Sequence, residues 1–146
     1  MPIDFDQPFS LSIDKISLTC NDTEPSHVEE TCHRLLQESN KVFSGIQVKS
    51  SRWHRLQCAI PIPNSVGTFL IQASSRHSDI SDYRFEFNPS IIGPEGLAYA
   101  SSFIDSVIST GASALFANAK ITRIDIALDL PSAGAEAQIE ADEAAE

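Results

Sequence analysis

The chain has 146 residues, the length of one ordinary domain, and its formal net charge is −10. Apolar residues make up 42% of it and the mean hydropathy is −0.09, so the composition predicts a globular, soluble protein and excludes a chain that is mostly disordered. The negative charge excludes a protein that coats itself with nucleic acid through overall positive charge, so any contact with nucleic acid has to be local.

The N-terminal sequence and the cysteines indicate the compartment. The opening residues, MPIDFDQPFS, are acidic and lack the apolar core of a secretory signal. No apolar run approaches the roughly 18 residues that favour a membrane span. Three cysteines, an odd number, argue against a disulfide framework and favour a reducing compartment. We therefore expect a cytoplasmic protein with no membrane partner.

The first half of the chain alternates between strand and helix patterns. Apolar residues alternate with polar ones over residues 11–20, which predicts a strand. A turn at Pro25 begins a short amphipathic helix that reaches Ser39. Residues 42–74 then have the pattern of a meander of short strands separated by turns.

The second half predicts a strand, a helical crossover and a strand. Alternation marks residues 83–88 and 122–129, and residues 94–117 between them have helical patterning with a break near Gly111. The whole pattern predicts an α+β fold: an antiparallel-dominated sheet of about five or six strands with helices mainly on one face. We expect one domain over residues 1–130 and a disordered acidic, alanine-rich tail over residues 131–146.

The two later strands carry charge on one side. Because successive side chains of a strand point to opposite faces, Arg84, Glu86 and Asn88 share a face, and so do Arg123, Asp125 and Asp129. We expect the apolar sides of both strands to pack beneath the helix between them. If the strands are neighbours, their acidic side chains converge on the other face of the sheet.

Two interpretations of this charged face stay open. Glu86, Asp125 and Asp129 offer the hard oxygen ligands that suit Mg²⁺ or Mn²⁺. Alternatively, Arg84 and Arg123 form ion pairs with these acids on a half-exposed sheet surface.

Both strands also resemble a known family. The segment KITRIDIALD, residues 120–129, is similar to the T-R-[IL]-D-[ILV]-A-x-D strand of rolling-circle replication initiation factors from plasmids and filamentous phages. The segment YRFEFNP, residues 83–89, resembles the R-x-E-x-N-P strand that those proteins carry just upstream. The order of the motifs and the helix between them also match, and the resemblance covers about residues 80–131.

The resemblance implies binding and nicking of replication-origin DNA, either single-stranded or in a hairpin. In such proteins a tyrosine attacks a phosphodiester, joins the 5′ phosphate and frees a 3′ hydroxyl, while a divalent cation (Mg²⁺ or Mn²⁺) polarises the scissile phosphate. Carried over to this chain, Glu86, Asp125 and Asp129 would hold the cation. Arg123 would orient the carboxylates or contact phosphate.

The nucleophile is the departure from the family pattern. Family members carry their tyrosine well downstream of the second strand, whereas the tyrosines here are Tyr83, in the predicted core, and Tyr99, on the crossover helix. We therefore expect an N-terminal portion of an initiator that lacks the nucleophile. The alternative is a non-catalytic α+β interaction module with a salt-bridged, charged sheet face.

A basic cluster provides a second candidate contact with DNA. Lys49, Arg52, Trp53 and Arg55 place cations beside a stacking ring, which suits single-stranded DNA. With Arg84 they form the predicted DNA-binding set. The alternative is a solvated strand edge with a tryptophan in the core.

Overall fold

The computed structural model describes residues 10–129. Along the chain the elements are β1 Ser10–Cys20, α1 His27–Ser39, β2 Gln47–Lys49, β3 His54–Pro61, β4 Thr68–Ser75, β5 Tyr83–Phe87, α2 Pro89–Val107, α3 Ala112–Ala117 and β6 Lys120–Asp129. The break predicted near Gly111 is confirmed: this residue has φ of 86° and separates α2 from α3. The predicted tail, residues 131–146, lies outside the described residues.

The strands form one sheet in the order β2-β3-β4-β5-β1-β6. Antiparallel pairs join β2 to β3, β3 to β4, β4 to β5 and β5 to β1. The α+β class with an antiparallel sheet is therefore confirmed. The idea that the two charged strands are neighbours is wrong, because β1 pairs with β5 and lies between β5 and β6.

The described chain divides into two compact units. Residues Ile13–Asp125 form one unit, and Ser10–Ser12 and Ile126–Asp129 belong to the other. The hydrophobic core lies entirely in the first unit. Its largest fully buried side chains include Tyr83, Phe69, Phe85, Leu35, Ile60, Ile71 and Ile104.

The helices pack on the face of the sheet that carries Tyr83 and Phe85. Thr31 of α1 lies within hydrogen-bond distance of the Tyr83 hydroxyl, at 3.1 Å. Phe116 of α3 contacts the edge of the Phe85 ring, with 5.6 Å between the ring centroids. The buried side of α2 joins the same core. The expected placement of the helices mainly on one face is thus confirmed.

The apolar residues of β5 and β6 differ in burial. Tyr83, Phe85 and Phe87 of β5 are buried, as expected. The apolar residues of β6 are exposed instead: Ile124 by 48%, Ile126 by 67% and Leu128 by 51%. The expectation that both strands pack beneath the helix is therefore wrong for β6, because this strand ends the sheet order while the core lies over the strands further in.

None of the described helices is both long and apolar enough to cross a membrane.

Candidate functional site: the open sheet face

The side of the sheet opposite the helices, called the open face here, carries the charged residues of β5. Because Tyr83, Phe85 and Phe87 point into the core, Arg84 and Glu86 point the other way and are half-buried. The alternation in the sequence therefore predicted this face correctly for both residues.

A row of polar side chains crosses the open face. The strand registers pair Lys49 with Gln57, Gln57 with Gln72, Gln72 with Arg84, and Arg84 with Thr19. These five residues, called the polar row here, run from β2 to β1. Gln72 Nε2 donates to Gln57 Oε1 over 2.7 Å, and Arg84 Nη1 donates to Gln72 Oε1 over 3.3 Å.

Sequence reasoning missed the two glutamines of this row. Gln57 stands between Leu56 and Cys58, and Gln72 stands between Ile71 and Ala73, so alternation alone would have placed each on the open face. Their hydrogen bond depends on the register of β3 against β4, which the pattern of one strand does not contain.

Glu86 is held in a compact polar cluster beside the row. Its Oε1 accepts hydrogen bonds from Arg84 Nη2 at 2.7 Å and from Ser17 Oγ at 2.9 Å. Arg84 Nη2 also donates to Ser17 Oγ over 3.1 Å. The carboxylate is therefore already paired with an arginine and a hydroxyl from the neighbouring strand.

Arg123 and Asp125 form a bidentate pair along β6. Arg123 Nε donates to Asp125 Oδ1 over 2.9 Å and Nη2 donates to Oδ2 over 3.0 Å. This hydrogen bonding lowers the pKa of Asp125 and raises that of Arg123. Glu86 adds to the raised pKa of Arg123, and Lys15 adds to the lowered pKa of Asp125.

The arrangement does not offer the carboxylates as a ready set of metal ligands. Glu86 and Asp125 stand on strands two spacings apart, about 10 Å across the sheet, and each carboxylate is engaged by its own arginine. Over residues 10–129, no group of three His, Cys, Asp or Glu side chains is placed to hold a metal ion. Asp129, the third predicted ligand, is the exposed last residue of β6 and belongs to the other compact unit.

The predicted basic cluster is divided by the structure. Lys49 is exposed on β2 and begins the polar row. Arg52 and Trp53 lie in the turn between β2 and β3, where the guanidinium of Arg52 stands 4.7 Å from the centroid of the Trp53 ring. Trp53 is 45% exposed, so it is not a core residue. Arg55 lines a groove beside α1 instead, together with Cys32 and Leu36.

Tyr83 is part of a buried hydrogen-bond network. Its hydroxyl donates to Asp22 Oδ2 over 2.6 Å and lies 3.1 Å from Thr31 Oγ1. Burial and this carboxylate raise the pKa of Tyr83 well above its ordinary value. A hydroxyl so enclosed is a poor nucleophile, in agreement with its predicted place in the core.

Asp22 is the acceptor at the centre of that network, and its side chain is 0% exposed. Burial opposes its ionisation. Hydrogen bonds from Thr110 (2.6 Å), Tyr83 and the backbone N–H of Glu24 outweigh that effect, and the pKa of Asp22 is lowered. Sequence reasoning missed this residue because its partners come from three separate segments of the chain.

The Asn-Pro pair at the end of the first motif has a structural explanation. Asn88 caps α2: its side-chain oxygen accepts from the backbone N–H of Ser90 at 3.0 Å and of Ile91 at 3.2 Å. Pro89 occupies the first helical position, where its missing N–H costs nothing. These two motif residues therefore begin a helix, while Arg84 and Glu86 face the open side.

Comparison of the chain with family models, with curated proteins and with solved structures gives no match.

Proposed function

We propose that this chain is a DNA-binding module, related to the rolling-circle initiators that its two strand motifs resemble, and that it holds single-stranded origin DNA on its open face. The observation that carries the proposal is the polar row, which places hydrogen-bonding side chains in register across β2, β3, β4, β5 and β1. From Lys49 to Arg84 the row spans three strand spacings, about 14 Å.

Local charge on this face favours a polyanion although the whole chain is acidic. Lys49 and Arg84 are the cations of the row. Arg123 lies on β6, the strand beyond the β1 end of the row, and Lys15 acts on Asp125 there. Against them stand the carboxylates Glu86 and Asp125, both already paired with arginine. Such a face supplies donors for phosphate and sugar oxygens through its lysines and arginines.

An aromatic side chain next to the row supplies a stacking surface. Trp53 is in the turn that follows Lys49, is exposed, and has Arg52 over its ring. Bases stack on exposed aromatic rings without strong sequence preference, and each stacked base contributes about 1–3 kcal/mol to binding.

The three cysteines are free thiols, which fits the reducing cytoplasm in which plasmid or phage DNA is replicated.

Binding of a fluorescent single-stranded oligonucleotide, followed by anisotropy over a series of salt concentrations, tests the proposal. Lys49→Ala should weaken binding and reduce the slope of log affinity against log salt by about 0.7, the value for one lost phosphate contact on a single strand. Trp53→Ala should weaken binding with little change in that slope, because stacking releases no counterion.

Lys41→Ala is the matched control, since Lys41 is an exposed lysine that pairs with Glu38 at the end of α1. It should leave both affinity and slope unchanged. Equal weakening by Lys41→Ala and Lys49→Ala would show nonspecific attraction, and failure of the wild type to bind saturably at low salt would refute the proposed function.

A second candidate is cation-dependent cleavage at the same face. It is favoured by the placement of Arg123 within electrostatic reach of both Asp125 and Glu86. The carboxylates of Glu86 and Asp125 are already paired with arginines, which favours DNA binding without cleavage. Titration of Mn²⁺, monitored by thermal unfolding, separates the two: we expect no saturable rise of Tm. A saturable rise in the wild type that disappears in Asp125→Asn would instead support a cation site.

A further inference from the structure

β6 is the last strand in the described sheet order, with β1 on its inner side. An edge strand presents backbone N–H and C=O groups along its outer side and is a template for another strand. The apolar side chains of β6 are exposed as well: Ile121 by 61% and Ile124 by 48%. A long, partly apolar edge of this kind is suited to pairing.

The charges of β6 are arranged so that the strand is complementary to itself. Arg123 and Asp125 stand on either side of Ile124 and point to the same face. In an antiparallel pair of two identical strands centred on Ile124, Arg123 of each copy lies directly opposite Asp125 of the other. Directly opposed unlike charges stabilise a strand pair, and like charges destabilise it.

We infer that β6 pairs antiparallel with β6 of a second copy of this chain, with the two-fold axis at Ile124. The pairing runs from Lys120 to Leu128 and continues the sheet across both copies. The interface is isologous, since the same strand serves both sides, and it closes after two copies.

Neighbouring registers are disfavoured by the same charges. Centring the pair on Arg123 opposes this arginine with itself, and centring it on Asp125 opposes two carboxylates. A register centred on Ile126 opposes Arg123 with Asp129, but it leaves residues 120–122 beyond the end of the partner strand.

Variants that reverse the charge of Arg123 or Asp125 test the inference. Sedimentation velocity over a concentration series at physiological ionic strength measures the dissociation constant of the dimer. Arg123→Asp places a carboxylate opposite Asp125 of the other copy, in both halves of the strand pair. Asp125→Arg likewise places a guanidinium group opposite Arg123 of the other copy. Each single change should raise the dissociation constant of the dimer at least about tenfold. The double variant, with both changes, restores unlike pairs and should return the constant to within about threefold of the wild type.

Cross-linking checks the register. Ile124→Cys, in a Cys32→Ser background, should join two chains through a short bifunctional maleimide because the two thiols meet at the axis. The remaining native thiols of Cys20 and Cys58 are buried. Val66→Cys is the control, since Val66 is 97% exposed on a turn between β3 and β4.

A wild type that stays monomeric over the whole series, or a double variant no better than the singles, would overturn the inference. Cross-linking at Ile126→Cys but not at Ile124→Cys would overturn the register. Thermal unfolding of each variant shows whether the chain is folded, so that loss of the dimer is distinguished from loss of the fold.

Discussion

Asp22 shows how a single buried carboxylate organises the end of the sheet. It receives hydrogen bonds from Tyr83 of β5, from Thr110 between α2 and α3, and from the backbone of Glu24 before α1. Such a charge is tolerated in the interior because its oxygens are fully engaged. Tyr83 therefore serves as a donor that stabilises the fold, which explains its polar end within an otherwise apolar core.

This residue should make the stability of the protein depend on acid. The pKa of Asp22 in the folded chain is lowered from 3.8, so its contribution is present above that pH and is lost as the pH falls through the folded-state value. Asp22→Asn should cost about 1–3 kcal/mol at neutral pH, because donors around it lose their charged acceptor. Urea unfolding at pH 7 and below pH 3.8 should show the difference between wild type and variant shrinking in acid.

Asp79→Asn is a control for that comparison, as Asp79 is exposed in the loop before β5. It should leave the free energy of unfolding within about 0.5 kcal/mol of the wild type at both pH values. A difference for Asp22→Asn that stayed constant with pH would contradict the role given to its ionised form.

At the scale of elements, the start of α2 shows what the sequence could and could not predict. Helical patterning indicated a start near Pro94, and the longer part of α2 does begin there, because Gly93 has a non-helical φ of 66° and ψ of −178°. A short helical segment that begins at Pro89 precedes this kink. Asn88 caps the short segment that begins at Pro89, and the positive φ of Gly93 separates this segment from the helix that follows. The capping signal was present in Asn88-Pro89, whereas the bend depends on a backbone conformation that favours glycine.

Removing the cap should destabilise the protein without affecting the open face. Asn88→Ala leaves the N–H groups of Ser90 and Ile91 without their side-chain acceptor, so we expect a loss of about 1 kcal/mol in the free energy of unfolding. Asn88→Asp keeps an acceptor at a helix N-terminus and should stay within a few tenths of the wild type. Denaturant unfolding measures both, and an equal loss in the two variants would contradict the capping role.

At the scale of the whole molecule, the sequence predicted which face each side chain occupies better than it predicted strand order. Alternation placed Arg84 and Glu86 opposite the core correctly because the period of two is a local property. The insertion of β1 between β5 and β6 is a non-local pairing, and it separates Glu86 from Asp125. The polar row and the exposure of Ile124 also depend on which strands are neighbours, so neither could be predicted from the sequence.

The position of β1 has a consequence for how the chain reaches its native state. Ser17 and Glu86 touch although 69 positions separate them, whereas Gln57 and Gln72 are 15 positions apart. Closing the longer loop costs more entropy before any ladder forms. On a ribosome, β1 emerges before β5 and cannot pair with it until β5 has been synthesised, so we expect β1 to join the sheet after β3 and β4 have paired.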